Sequence, residues 1–218
     1  MITKYGIDVA VRYIFLATLM AIFAGMFIRI DALRYATLGC IGVAVLLVLN
    51  FFRDPERTIP NDVRNAVLSP ADGRIVLIEN VFEPEYLKED AVQVSIFMSP
   101  LDVHVNRFPI SGRIELARHV EGEFIAAFDQ KSSERNERMH IGIRREDGYK
   151  LLFKQIAGAV ARRIVADVAV GQESTIGARF GMIKFGSRVD VIMPRQTTVD
   201  IKLHDRVVAG ETILAHAV

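Results

Sequence analysis

The sequence predicts a mostly β protein, a sandwich or barrel, preceded by a membrane helical hairpin at its N-terminus. Three observations support this: two uncharged apolar runs, a charged linker with two prolines, and short β-type stretches beyond it. The chain has 218 residues, of which 51% are hydrophobic, and its mean hydropathy is +0.27. That length allows one domain of ordinary size plus a small segment. We predict a hairpin domain at residues 1–57 and a second domain at 58–218.

The hairpin is predicted from two apolar runs, residues 13–28 and 35–52, neither of which contains a charged side chain. Each run is close to the ~20 residues that span a bilayer. A secretory signal peptide is disfavoured, because a second run follows at once and no small-residue cleavage site is obvious. The positive-inside rule favours a cell-membrane location with both ends and the second domain cytoplasmic, since the outer flanks carry Lys4, Arg12, Arg53 and Arg57.

The β prediction rests on the part of the chain after the linker at residues 53–60. There, Gly, Pro, Asn and Asp punctuate short stretches rich in Val, Ile and Phe. Regular short strands with frequent turns indicate a sandwich or barrel. Residues 171–177 and 204–210 form a weak repeat, which fits two copies of a hairpin element, and residues 84–90 fit a short helical turn. We predict strands at residues 74–78, 92–98, 113–116, 138–143, 150–156 and 189–193.

Charge and cysteine content argue against several function classes. The net charge is +1, so no overall field attracts nucleic acid, and we expect no nucleic-acid partner. The single cysteine, Cys40, lies inside an apolar run, where it has no partner for a disulfide and no neighbours for a metal site. We therefore expect no metal.

Three segments carry candidate chemistry. Asp72 belongs to an Asp-Gly pair, which is ordinarily a hairpin turn, but its carboxylate can also orient a histidine. His104 follows an apolar strand, where most histidines are structural. Ser187 follows Gly186, which leaves the adjacent carbonyl unshielded and tolerates strained geometry. Together they supply an acid, a base and a nucleophile, which is what an otherwise weak serine nucleophile needs.

The chain resembles the phosphatidylserine decarboxylases, specifically their short, archaeal-type form. The resemblance implies that the precursor cuts itself between Gly186 and Ser187. The products would be a large chain, residues 1–186, and a small chain, residues 187–218, held as a heterodimer. Ser187 would become a covalent pyruvoyl group, the cofactor of the family. The resemblance rests on four segments in the family's order: residues 50–55, 69–73, 97–107 and 180–190.

The resemblance also implies an activity, the conversion of phosphatidylserine to phosphatidylethanolamine and carbon dioxide in phospholipid biosynthesis. The pyruvoyl ketone would form a Schiff base with the substrate amine and take up the electrons that carbon dioxide leaves behind. His104 matches the family's decarboxylation histidine. Longer members have a second histidine three places later, where this chain has Arg107, which cannot act as a base. We therefore expect His104 to serve both cleavage and decarboxylation, with Asp72 as its orienting partner.

Two other functions stay open from the residues themselves. A membrane-anchored serine hydrolase is one, although Ser187 lacks the Gly-x-Ser-x-Gly elbow of that class. A non-enzymatic carrier is the other, because residues 207–214 look like a lipoyl-type hairpin, although no lysine lies at its tip. A lipid substrate would also need a cationic or amide-rich seat for its phosphate, for which the sequence offers Arg179, Lys184 and Arg188.

Overall fold

The computed structural model describes residues 1–123, 125, 135–158, 163–184 and 187–218. Its contacts divide the chain into two compact units, Met1–Pro55 and Glu56–Val218. The predicted class, mostly β behind two N-terminal apolar helices, is confirmed. In chain order the elements are α1 Ile7–Phe27, α2 Asp31–Phe51, β1 Ala66–Leu68, β2 Gly73–Glu83, β3 Glu89–Met98, β4 Val105–Arg107, β5 Gly112–Val120, β6 Arg138–Arg144, β7 Lys150–Ile156, β8 Arg163–Ala166, β9 Glu173–Ser174, β10 Arg179–Lys184, β11 Ser187–Pro194, β12 Thr198–Val199, β13 Arg206–Val207 and β14 Ile213–His216.

The first unit contains the helices α1 and α2, which pack against each other. Each is 21 residues long, and their mean hydropathies are 1.9 and 2.0. At 1.5 Å per residue such a helix matches the ~30 Å hydrocarbon core of a bilayer. Large apolar side chains such as Phe15, Met20 and Leu46 are exposed. By length and composition, both helices can cross a membrane.

The second unit is built on an eight-stranded antiparallel sheet with the order β13-β2-β3-β11-β7-β6-β5-β9. Register shifts in β2 and β5 mark bulges, which bend and twist the sheet. Two three-stranded sheets, β4-β10-β8 and β1-β14-β12, complete the fold. One hydrophobic core joins all three sheets, as shown by Val94, Phe180 and Leu214.

All six strands predicted from the sequence lie within observed strands. The predicted helical turn at residues 84–90 is wrong in kind, because residues 84–87 form a simple turn and β3 begins at Glu89. The carboxylate of Glu83 organises this turn by accepting the backbone N–H groups of Tyr86 and Leu87 at 2.8 and 2.7 Å. A side chain thus supplies the acceptors that helical carbonyls would otherwise offer.

The two halves of the weak repeat meet in the structure. Gly177 and Gly210 both adopt positive φ, +75° and +74°, in turns that each end one half of the repeat. A Cβ on Gly210 would lie 3.0 Å from Cδ of Arg107 and 3.6 Å from Cα of Gly177. Glycine at position 210 therefore meets two requirements, the left-handed backbone and the close approach of the Arg107 side chain.

A buried ion pair lies on β11, one residue after Ser187. Nε of Arg188 is 2.6 Å from Oδ1 of Asp190, and both side chains are almost fully buried. Nη2 of Arg188 also donates to Oγ of Ser95 at 2.7 Å. Because strand residues alternate between faces, this pair and Ser187 lie on opposite faces of the sheet.

We expect Asp190→Ala to lower the free energy of unfolding by about 3–5 kcal/mol, because it leaves the Arg188 charge buried without its counter-ion. Urea unfolding monitored by circular dichroism measures the loss. The double variant Arg188→Met with Asp190→Leu removes both charges and fills the volume, so it should lose much less. Equal losses in the single and double variants would contradict this assignment of the energy to the uncompensated charge.

Candidate active site

Ser187 is the first residue of β11 and is fully buried. It pairs with Met98 of β3, and its Oγ donates to the Met98 Sδ at 3.2 Å. Alternation along β11 places its side chain on the core face, with Val189 and Val191. The hydroxyl is thus shielded from bulk water. Gly186, the other half of the predicted cleavage site, lies outside the described residues.

His104 is presented by a tight turn at the end of β3. The Ser99 N–H donates to a carboxylate oxygen of Asp102, and the Asp102 N–H donates to the Ser99 carbonyl, both at 2.8 Å. His104 is fully buried, and its Nδ1 lies 2.9 Å from the Asp102 carbonyl oxygen. A carbonyl only accepts, so this contact assigns the proton to Nδ1 and leaves Nε2 as the basic nitrogen.

The strand β10 connects the histidine segment to the serine. The backbone N–H of Ile183 donates to the His104 carbonyl at 3.4 Å. The strand ends at Lys184, and β11 begins at Ser187. Only a few residues of sequence therefore separate Ile183, which contacts His104, from Ser187. The structure brings these two predicted residues into one region of the fold.

Asp72 lies in the same region, with both carboxylate oxygens engaged. Oδ2 accepts from Nη2 of Arg57 at 2.7 Å, and Oδ1 accepts the Ala209 N–H at 2.8 Å. Burial raises the pKa of Asp72, the Ala209 amide and Arg57 oppose that rise, and the nearby negative charge of Asp102 adds to it. The hydrogen bonds described for Asp72 go to Arg57 and Ala209, so its role in orienting His104 stays a prediction.

Arg107, at the position of the family's second histidine, acts as a structural bridge. Its Nη1 donates to the Gly177 carbonyl at 2.9 Å, and its backbone N–H donates to the Pro70 carbonyl at 3.0 Å. The guanidinium is buried. Arg107 therefore ties the segment that carries Asp72 to one turn of the repeat, and its permanent charge makes it unfit as a base.

The structure places all three cations that were suggested for a lipid phosphate, and Lys184 is buried at the end of β10. Arg188 lies in the buried ion pair with Asp190. Arg179 donates to the Glu56 carboxylate at 2.9 Å. Among the residues that the structure describes, no cluster of three or more His, Cys, Asp or Glu side chains could hold a metal ion.

The structure adds two residues that sequence reasoning missed, Asn106 and Gln155. Nε2 of Gln155 donates to Oδ1 of Asn106 at 2.8 Å, and both side chains are fully buried. Nδ2 of Asn106 lies 3.8 Å from the same Met98 sulfur that Ser187 contacts. One signal was available: Gln155 occupies an inward position of β7, after Leu151 and Phe153, where the pattern calls for an apolar side chain.

Comparisons with known proteins point to one family. A sequence model of the family described as "Phosphatidylserine decarboxylase" matches residues 45–215. A phosphatidylserine decarboxylase proenzyme of Salinibacter ruber is 51% identical over 179 residues, covering 82% of this chain and 78% of the relative. One from Chlorobium chlorochromatii is 44% identical over 215 residues, covering 98% and 99%. The predicted resemblance is confirmed: this chain belongs to the phosphatidylserine decarboxylase family, a family of carboxy-lyases.

Proposed function

We propose that this chain is a proenzyme that cuts itself before Ser187 and then converts phosphatidylserine to phosphatidylethanolamine and carbon dioxide. The observation that carries the proposal is the placement of Ser187. It is a buried hydroxyl at the start of an interior strand, reached from a strand that is hydrogen-bonded to the His104 segment. The proenzyme names of the relatives support self-processing.

The proposed cleavage is an attack of the chain on itself. Oγ of Ser187 adds to the Gly186 carbonyl carbon and the peptide C–N bond breaks, so the acyl group moves to oxygen and leaves an ester and a free amine. Loss of the Ser187 α-proton then breaks the Cβ–O bond, which releases a C-terminal carboxylate at Gly186. The dehydroalanine left at position 187 adds water and loses ammonia to give a ketone. Nε2 of His104 is the proposed acceptor of the hydroxyl proton.

The residues around Ser187 fit an uncharged ketone at that position. Its described neighbour on β3 is the neutral Met98, and the Asn106 amide contacts the same sulfur. The pyruvoyl group would supply the electron sink that decarboxylation of an amino acid requires. His104, whose ordinary pKa lies near neutrality, is the proposed donor of the proton that replaces carbon dioxide. The two chains, 1–186 and 187–218, would remain together as a heterodimer.

Intact-mass analysis of the purified protein tests this function. We expect two chains, and a small chain whose ketone reacts with hydroxylamine, together with carbon dioxide released from phosphatidylserine vesicles. A single chain of about 24.4 kDa with a reactive serine would favour a hydrolase. A single chain with a covalent adduct on another residue would favour a carrier.

The apolar helices support a further proposal, that the enzyme is anchored in the cell membrane with its β domain on the cytoplasmic side. We expect a variant lacking residues 1–55 to leave the membrane fraction yet still cut itself, because all the strands lie in the other compact unit. Fractionation after a high-salt wash measures location, since salt screens surface charge but not hydrophobic insertion. Retention of the shortened protein on membranes would contradict the anchor, and failure to cut would contradict the independence of the β unit.

A further inference from the structure

A chain of donors and acceptors fixes the orientation of the two buried amides. The Pro70 carbonyl, which already accepts the Arg107 N–H, also accepts Nδ2 of Asn106 at 3.3 Å. A backbone carbonyl can only accept, so Asn106 must turn its amino group toward Pro70 and its oxygen toward Gln155. Gln155 must then turn its own amino group toward Asn106, at 2.8 Å. The hydrogen-bond network thus decides which end of each amide is the oxygen and which is the nitrogen.

This chain of hydrogen bonds, from Pro70 through Asn106 to Gln155, ends in an acceptor that lacks a donor. Within the described part of the chain, Oε1 of Gln155 is buried and has no hydrogen-bond partner. The whole residue is fully buried. Leaving a buried acceptor without a hydrogen bond is costly, and native proteins keep few such atoms. An unpartnered buried acceptor of this kind is able to accept a hydrogen bond from a bound molecule.

The bare oxygen and Ser187 belong to residues on the same face of the sheet, on neighbouring strands. Gln155 on β7 pairs with Val189 on β11, and Ser187 is the next residue of β11 on the same face. Diagonal neighbours of this kind lie within reach of a long side chain. The Met98 sulfur closes the group from β3, since it contacts both the Ser187 hydroxyl and the Asn106 amide.

We propose that Oε1 of Gln155 accepts an N–H of the substrate's amine and aims that amine at the reactive carbon of residue 187. This inference rests on the proposed function. A ketone at position 187 offers only acceptors, and so do the carboxylate and phosphate of the serine headgroup, which leaves the amine as the one strong donor of the reacting assembly. The amine must lose its extra proton before it attacks the ketone, and a neutral amide oxygen can accept an N–H from the ammonium form and from the neutral amine alike. Gln155 would therefore recognise the N–H that distinguishes a primary-amine headgroup from a choline headgroup, whose nitrogen carries no hydrogen.

The experiment compares Gln155→Leu with a matched control, Gln93→Leu. Gln93 is also a buried sheet glutamine, but its amide contacts Ser95 and Asp190 on the opposite face of the sheet. Each protein is scored for self-cleavage and for its hydroxylamine-reactive ketone. Each is then incubated with phosphatidylserine vesicles and cyanoborohydride, and mass spectrometry of the small chain measures how much amine has been captured.

We expect Gln155→Leu to cut and to carry the ketone, but to capture the amine about tenfold or more slowly than wild type. Gln93→Leu should capture at the wild-type rate. Gln155→Glu should recover much of the loss, because burial keeps a carboxylic acid neutral, with an O–H for Asn106 and a carbonyl for the amine. Recovery by this variant is a response that a merely space-filling role would not give.

Several outcomes would overturn the assignment. Normal capture by Gln155→Leu removes Gln155 from substrate binding. If Gln155→Leu stays uncut, Gln155→Met, which fills a similar volume without a carbonyl, replaces it. If that variant also stays uncut while Gln93→Leu cuts, then Gln155 acts in cleavage and the substrate role is wrong. A wild-type protein that never cuts would instead defeat the proposed function, independently of Gln155.

Discussion

Ser187→Ala should stay a single chain of about 24.4 kDa under conditions in which the wild-type protein separates into two. The substitution removes the oxygen proposed to attack the preceding carbonyl, so the loss of cleavage should be complete. The fold should survive, because the hydroxyl's described contact is with the Met98 sulfur, a weak acceptor. Denaturing electrophoresis and intact mass report the result, and circular dichroism checks the fold.

A matched control for this variant is Ser174→Ala. Ser174 is also a buried serine at a strand position, and its Oγ bonds only backbone carbonyls, those of Ile110 and Gly112. That protein should cut normally despite some loss of stability. A Ser187→Ala protein that still splits at the same bond would refute the proposed nucleophile.

His104→Ala has the second-largest expected effect, a slowing of self-cleavage by ~10²–10⁴-fold. The reason is geometric: the Asp102 carbonyl holds the Nδ1 proton, which makes Nε2 the basic nitrogen that can take a proton from a hydroxyl. A time course of chain cleavage after synthesis measures the rate. The matched control is His119→Ala, since His119 is a half-exposed histidine whose Nε2 contacts Glu137. It should cut at the wild-type rate.

The same protein separates two roles for His104. If the residue acts only on the lipid, His104→Ala will cut normally and carry the ketone, but it will release no carbon dioxide from phosphatidylserine. Normal cutting with normal decarboxylation would leave His104 a structural residue only.

Asp72→Asn should also slow cleavage, but less than His104→Ala. The amide keeps an oxygen for the Ala209 N–H and loses only the negative charge opposite Arg57.

The sequence was informative wherever a local pattern decides the outcome. Apolar alternation located the six strands, because it reports the buried face of a sheet, and uncharged runs located both helices, because such runs are typical of segments that cross a membrane. Ser187, His104 and Asp72 were predicted from short motifs that place chemically distinctive groups together, and their roles stay predictions. The turn after Glu83 was misjudged, since one carboxylate there replaces the backbone acceptors that a helical turn would use.

Contacts between distant segments could not be predicted in the same way. Arg188 looked like a cation for a phosphate, but it is buried against Asp190 and Ser95, which only the register of β11 with β3 reveals. The partners of Asp72 come from the linker and from a turn near the C-terminus. Gln155 and Asn106 meet only once β7 and β4 are placed, so no short motif contains them.

The interior position of β11 has a consequence for the proposed two-chain product. Residues 187–218 supply β11, between β3 and β7, the edge strand β13, and the strands β12 and β14, of which β14 pairs with β1. The small chain is therefore interwoven with the large one, and releasing it means unfolding the sheets. Cutting would turn a unimolecular folding reaction into a bimolecular one, whose yield on refolding depends on protein concentration. The proenzyme would thus fold reversibly as one chain, while the mature enzyme would be kinetically stable, because it unfolds slowly.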